Sequence, residues 1–234
     1  MTGLSDPRIA KGMKRQFALL KERERSGARR IGWKVGFGAA AAKERLGLSG
    51  PLIGFLLDQA VLADGATVSL NGWTKPVAEP EIAIEMAHPL RGTPSEVEIL
   101  QAIGVMGPAI ELADLDIPPD DVEAILAGDI FQRHVTFGPR RHVDLTTGLS
   151  RLSGKVTRSG QDVAVPADLQ ANTGGLIEIV GHVTATLAAF DLDLQTGDII
   201  IAGSVTPPLM LNWEDTTLRW DLAPIGSVSL NFRA

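Results

Sequence analysis

The chain has 234 residues, with 22 Lys and Arg against 28 Asp and Glu, a net charge of -6 and no cysteine. The missing cysteines exclude disulfides, thiolate nucleophiles, zinc fingers and iron–sulfur clusters, and the acidic balance argues against a nucleic-acid partner, which calls for a net basic surface. The opening residues carry no basic-then-apolar leader pattern and no apolar run approaches the ~20 residues that span a bilayer, so a cytoplasmic protein with no membrane association is expected.

Ser5 as a cap and Pro7 in the first turn predict a helix, with Ile9, Met13, Phe17 and Leu20 as one stripe and Gly27 as its end. Arg30 to Phe37 alternates and predicts a strand, with Ile31, Trp33, Val35 and Phe37 on one face and Arg30, Gly32, Lys34 and Gly36 on the other. A short helix at 39–46 stops at Gly47, and strands are expected at 52–57, 66–70 and 81–86. Thr93-Pro94-Ser95-Glu96 predicts a capped helix over 94–103, followed by a strand at 108–114 and a short helix at 118–127. Residues 133–165 have β character broken by turns, a longer helix covers about 174–190, and the tail is β at 198–202, 217–221 and 226–232. Strands outnumber short helices in mixed order. The expectation is one α+β catalytic domain over 1–234, a helical lobe at 1–50 packed on a largely antiparallel β core at 51–234.

The segment Val77-Ala78-Glu79-Pro80-Glu81-Ile82-Ala83-Ile84-Glu85 concentrates the chemistry. Residues two apart on a strand share a face, ~6–7 Å apart, so Glu79, Glu81 and Glu85 stand opposite Ile82 and Ile84. Two such carboxylates can converge on one ion; without a cation they repel and one tends to hold a proton. Pro80 removes a ladder donor, which puts this part of the strand at an edge, a start or a bulge. In Pro108-Ala109-Ile110-Glu111-Leu112-Ala113-Asp114, Glu111 faces away from Ile110 and Leu112, between two alanines. Glutamates of this kind are most often solvated surface charges, but Glu79, Glu81 and Glu111 together suit a hard, oxygen-preferring ion, Mg²⁺ or Mn²⁺ before Ca²⁺. The four histidines show no paired spacing that would suit zinc.

Lys34 shares its face with Gly32 and Gly36, which predicts open space around an ammonium able to donate a proton or hold a carboxylate. The same stretch, Gly36-Phe37-Gly38-Ala39-Ala40-Ala41, imitates a dinucleotide-binding fingerprint, with Asp58 following Gly38 by 20 residues. The short following helix, the lysine in the strand and the β-rich remainder argue against it, and no nicotinamide cofactor is expected.

These motifs together resemble the 2-hydroxypentadienoate (2-oxopent-4-enoate) hydratase and 2-oxo-3-enoate decarboxylase family of the fumarylacetoacetate hydrolase superfamily. The resemblance is carried in order by Gly32-Trp33-Lys34-Val35-Gly36, Gly54 to Asp58, Glu79-Pro80-Glu81, Pro108-Ala109-Ile110-Glu111, Gly197 to Ser204 and Gly226-Ser227-Val228. It implies a β-roll core with peripheral helices, a homo-oligomer that can associate with a related pathway enzyme, and a place in aromatic catabolism. It also implies Mg²⁺ or Mn²⁺ on Glu79, Glu81 and Glu111, with Lys34 and Asp58 as the proton-transfer pair. Trp33, Phe37-Gly38-Ala39 and Asp129-Ile130-Phe131-Gln132 depart from the family pattern. The implied reaction is hydration of a 2-hydroxy-2,4-dienoate through an enolate stabilised by the ion, with Gln132 and Ser204 as substrate contacts. Decarboxylation of a 2-oxo-3-enedioate, acylpyruvate hydrolysis and a non-catalytic subunit of such a complex stand as alternatives.

Overall fold

The structure, a computed structural model, describes residues 6–145 and 148–233. The first helix, α1 (Pro7–Arg25), is capped by Asp6, whose carboxylate accepts from the Arg8 N–H; Ser5 lies outside the described residues. Its apolar stripe, with Ile9, Met13 and Leu20 buried, packs on α4 (Val122–Ala127). Gln16 within that stripe is fully buried, and its amide donates to the carbonyls of Ile53 and Leu126 at 3.1 and 2.9 Å, which satisfies two backbone acceptors where helix meets sheet.

Two sheets form the body. The larger has eight strands: β1 (Arg30–Gly36), β2 (Leu52–Leu57), β3 (Val61–Leu62), β5 (Pro76–Met86), β6 (Ile103–Asp114), β7 (Gln132–Phe137), β10 (Ile199–Ser204) and β11 (Leu209–Met210). Their order is β2-β1-β10-β5-β6-β7-β3, with β11 paired to β5. The smaller runs β4-β13-β12-β8-β9, from Thr67–Ser69, Gly226–Arg233, Thr217–Ala223, Ser153–Arg158 and Gln161–Val163. Pairing is antiparallel except at β1–β10, β3–β7 and β13–β4. This is the mixed, mostly antiparallel curled sheet with few short helices that the sequence pattern predicts. The main core lies between the sheets, where Trp33, Ile82, Ile84, Ile110 and Ile200 meet Val156, Leu218, Trp220, Val228 and Leu230, with α5 (Leu176–Ala188) adding Val180, Val183 and Leu187. The other face of the large sheet carries a smaller apolar cluster, Leu56, Ala83, Ala109, Val135, Ile199 and Ile201.

Four local expectations change. β1 is an interior strand between β2 and β10, so residues 30–36 belong to the large sheet rather than to a helical segment. β5 starts at Pro76 and is central, and Pro80 sits where its partner changes from β10 to β11, beside a register shift between Ile201 and Ser204. Of the sites proline tolerates, the bulge is the one used. The capping box is Ser95 with Glu98, so α3 (Glu96–Ala102) begins after Pro94. Pro118 and Pro119 keep this stretch out of a helix, residues 119–120 turn, and α4 starts at Val122, capped by Asp121, whose carboxylate accepts from the Ala124 N–H. No helix among the described residues is long and apolar enough to cross a membrane.

Gly32 serves the close approach of two strands. A β-carbon there would fall on the carbonyl oxygen of Ile199 in β10, which is backbone and cannot swing aside. Gly32→Ala is expected to lower the unfolding free energy by about 1–3 kcal/mol through overpacking, read as a lower urea midpoint with an unchanged slope.

Candidate metal centre and active site

The register of β5 on β6 places Glu79 directly opposite Glu111, and Glu81 opposite Ala109. All three side chains leave the sheet on the side away from the main core, because each alternates with a core residue, Ala78, Ile82 or Ile110. One carboxylate oxygen from each of Glu79, Glu81 and Glu111 lies within 4.8 Å of the others. Glu81 and Glu111 are buried, while Glu79 lines an open cavity of about 690 Å³. Glu85, the fourth glutamate on this face, turns away into an ion pair with Arg140 at 3.0 Å.

Lys34 stands over this cluster, 2% exposed, with its ammonium ion-paired to Glu111 and donating to the Ile130 carbonyl at 2.9 Å. Two of its three N–H groups are thereby used, which leaves one for the cavity that the lysine lines. The space for the side chain does not come from Gly32, which faces β10. It comes from Gly54 on β2, where a β-carbon would lie 2.6 Å from the Asp129 carboxylate and 2.8 Å from Cγ of Lys34. Gly36 does the same for Ile130, whose Cγ2 would be 2.8 Å from a β-carbon there.

The residues after α4 complete the site by an unusual backbone. Asp129, Ile130 and Phe131 are successive non-glycine residues with φ of 60, 51 and 63°. Left-handed conformations of this kind are costly and persist where the surroundings hold them. Here the Asp129 carboxylate accepts from the Phe55 N–H at 2.8 Å, and the Ile130 carbonyl accepts from Lys34. Glu81 is held by the Gly203 N–H at 2.7 Å, at a glycine whose φ is +88° in the bulge of β10.

Burial and mutual repulsion dominate the electrostatics. Burial first, then the charge of Glu111, raises Glu79 to about 7 from its ordinary 4.5, against the pull of Lys34. Burial raises Glu81 well above the ordinary range, with Glu111 and Glu79 adding to it. Glu111 is raised by burial in spite of Lys34, and Asp129 is raised well above its usual value by burial. Burial works against the charged lysine, but the carboxylates of Glu111, Glu79 and Asp129 outweigh it and Lys34 stays an ammonium. One cation among four carboxyl groups leaves negative charge unbalanced. Glu111 Oε2 is buried with no hydrogen-bond partner. An oxygen-only donor set of this size with an unpartnered buried oxygen fits a small divalent cation of the Mg²⁺ or Mn²⁺ kind.

The other expected residues divide. Ser204 lines the cavity with its hydroxyl buried and unpartnered. Gln132 pairs with Ala113 behind the cavity wall, both amide atoms buried and unpartnered, but it is not part of the lining. Asp58 is not brought to the site. It begins the short 3-10 turn Asp58–Ala60 beyond β2, four residues past the Gly54 that faces Lys34, and its carboxylate accepts from the Arg29 N–H at 3.0 Å. At ~3.4 Å per residue that offset separates it from Lys34 by more than hydrogen-bonding reach. Asp129 is the carboxyl beside Lys34 instead. Nothing in its local sequence marks it, because its neighbourhood is made by a left-handed turn. Trp33 points into the main core, where its indole N–H donates to Asp198 at 3.2 Å, so this departure from the family pattern does not reach the site. Nor is there a nucleotide-binding βαβ unit: β2 returns antiparallel to β1 after α2 (Ala40–Leu46).

No family model matches the chain. It is 29% identical over 194 residues to the 2-hydroxyhexa-2,4-dienoate hydratase of Comamonas testosteroni, covering 81% of this chain and 73% of that one. It is 23% identical over 237 residues to a 4-oxalocrotonate decarboxylase of a Pseudomonas species, covering 99% and 90%. Among solved structures, the 4-oxalocrotonate decarboxylase of Pseudomonas putida G7, complexed with magnesium and adipate, superposes with a TM-score of 0.86 at 23% identity over 96% of this chain and 86% of that one. Fumarylpyruvate hydrolase of Pseudomonas aeruginosa, in complex with Mn²⁺ and pyruvate, gives a TM-score of 0.68 at 13% identity over 88% and 89%. The fold is fumarylacetoacetate hydrolase-like. In sequence, the chain is similar to hydroxydienoate hydratases and 4-oxalocrotonate decarboxylases.

Raised carboxyl groups have a consequence for stability. Between about pH 4.5, the ordinary glutamate value, and about 7, the folded metal-free protein holds a proton on Glu79 that the unfolded chain has lost. Stability from this group therefore falls as pH rises through that window. Thermal denaturation of chelator-treated protein should show this decline, reduced in Glu79→Gln. Added Mg²⁺ or Mn²⁺ should raise the melting temperature more at pH 8 than at pH 5, because binding needs the deprotonated carboxylates.

Proposed function

We propose that this protein is a divalent-metal-dependent hydro-lyase that adds water to a 2-hydroxy-2,4-dienoate, the enol of a 2-oxo-4-enoate, to give a 4-hydroxy-2-oxo acid. The observation that carries this reading is the convergence of Glu79, Glu81 and Glu111 within 4.8 Å of one another, beside a buried ammonium at the base of a cavity. Glu79, Glu81 and Glu111 would hold a divalent ion, which would supply Lewis-acid stabilisation of the enolate charge that develops on a 2-oxo acid.

The chain's own groups do the rest. The free N–H of Lys34 faces the cavity, so this ammonium can pass a proton to, or neutralise, the substrate chain as the dienol converts to the conjugated ketone and water adds at its far end. Its carboxylate neighbours keep it an ammonium, so it offers a proton and a positive charge rather than a free base. Glu111 and the Ile130 carbonyl fix the direction of the ammonium, and Asp129 is a positioning residue that acts through the turn carrying Ile130. The Ser204 hydroxyl, unpartnered and buried, is available to the substrate carboxylate. Gln132, outside the cavity lining, is assigned no substrate contact.

A second reading, decarboxylation of a 2-oxo-3-enedioate, is favoured by the decarboxylase relative that aligns over 99% of this chain. It would use the same enolate. The two readings differ in product, hydroxy-oxo acid against carbon dioxide, and NMR of the products separates them.

Activity should be lost with excess EDTA and restored by Mg²⁺ or Mn²⁺; full turnover in dialysed, chelated protein would overturn the reading. Lys34→Met should lower kcat by about 10²–10⁴-fold, as expected for loss of a general acid, without weakening Mn²⁺ binding followed by electron paramagnetic resonance. Asp58→Asn should leave kcat within a few-fold of wild type, as its distance from Lys34 requires.

A further inference from the structure

The cavity above the metal centre has two unlike halves. At its base are Lys34, Glu79 and Ser204. Beyond them the wall is mostly hydrocarbon: Phe37 and Ala42 from the turn and helix after β1, Leu115 after β6, Phe131 from the left-handed turn, and Pro207 and Met210 around β11. Asn172 and Thr173 are its polar members, and the Asn172 amide donates to the carbonyls of Ser204 and Thr206 at 2.7 and 3.1 Å. The volume, about 690 Å³, lies in the range of pockets that enclose drug-sized ligands, ~300–1,000 Å³, and far exceeds what a five-carbon acid fills.

The two aromatic rings are built into place at a cost. Phe37 and Phe131 are both non-glycine residues in the left-handed region, with φ of 56 and 63°, and their ring centroids lie 6.4 Å apart at a tilt of 44°. The run that presents Phe131 to the wall is the same run that turns the Ile130 carbonyl onto Lys34. Backbone strain held in this way is characteristic of ligand clamps and catalytic sites. Only one further charged residue lines the cavity, Arg45 on α2. It is exposed at the rim, with its guanidinium 3.5 Å from the Pro119 carbonyl.

We propose that the substrate of this site is a 2-oxo acid whose far end is a bulky hydrocarbon group, aryl or branched alkyl, rather than a second carboxylate. The proposal rests on the metal-centre reading for the head of the substrate and adds the chemistry of its tail. Magnitudes decide between the two tails. A carboxylate reaching Arg45 would make an exposed ion pair, and such pairs contribute little. Each methylene buried on the apolar wall strengthens binding by about four-fold. A ring placed by Phe37 and Phe131 also gains from edge-to-face or offset contact.

The test is calorimetric titration of the Mn²⁺-loaded protein with pyruvate, 2-oxohexanoate, 4-phenyl-2-oxobutanoate and 2-oxoadipate, repeated in EDTA. The expected order is 4-phenyl-2-oxobutanoate tightest, at least ten-fold tighter than pyruvate, with 2-oxoadipate weaker than 2-oxohexanoate. Phe37→Gly should shrink the advantage of the phenyl ligand over pyruvate, and so should Ala42→Glu, which leaves both rings in place. Metal-dependent binding of all four acids with equal affinity would overturn the tail proposal and leave the metal-centre reading intact. So would 2-oxoadipate binding tightest with the gain lost in Arg45→Met. Tail-dependent binding that is the same in EDTA would instead sink the metal-centre reading and leave the apolar wall standing. No binding of any of the four acids would sink both.

Discussion

A single ammonium, that of Lys34, is set among four carboxyl groups, the buried Glu81, Glu111 and Asp129 and the half-buried Glu79. In a low-dielectric interior such an excess of acid is tolerated only by protonation or by a further cation. The elevated values of the glutamates express the first solution and the converging oxygens offer the second. A buried pair such as Lys34–Glu111 adds little net stability, because desolvation offsets most of the attraction. Its presence at the base of a cavity is better explained by the chemistry proposed for it.

The surrounding fold is arranged to keep that ammonium in one place. Lys34 and Trp33 are neighbours in sequence and leave β1 on opposite faces, one to the charged cluster and one to the main core. A slip of one residue in the pairing of β1 would exchange them, so the bulky indole in the core fixes the register that presents the lysine. Gly54 leaves room for the lysine stem and for Asp129, and the left-handed turn at residues 129–131 brings a carbonyl to the ammonium. Cross-sheet support comes from the Trp220 indole, which donates to the Glu81 carbonyl at 2.8 Å and so ties the small sheet to the strand that carries two of the three carboxylates.

The site thus joins a polar base to an apolar wall through a single turn. Residues 129–131 contribute a positioning carboxyl, a carbonyl on Lys34 and a ring on the cavity wall. A change in that turn would alter both the setting of Lys34 and the cavity wall. The chain's relatives include a hydratase and a decarboxylase at 29% and 23% identity, and the proposed enolate chemistry is common to both reactions.

Much of this was legible in the sequence, and the divide follows physical lines. Strand alternation put Glu79 and Glu81 on one face and Glu111 opposite its apolar neighbours, because a period of two is a local property of an extended chain. The same alternation separated Lys34 from Trp33. What the sequence could not determine depends on contacts between distant segments. The true provider of space for Lys34 is Gly54, one strand away, rather than Gly32 in the same strand. The carboxyl beside the lysine is Asp129, delivered by a left-handed turn that no propensity predicts for Asp-Ile-Phe, while Asp58 lies past the end of β2 with Arg29. The central position of β5, despite Pro80, required the bulge where β10 gives way to β11, and only the assembled sheet shows where that exchange falls.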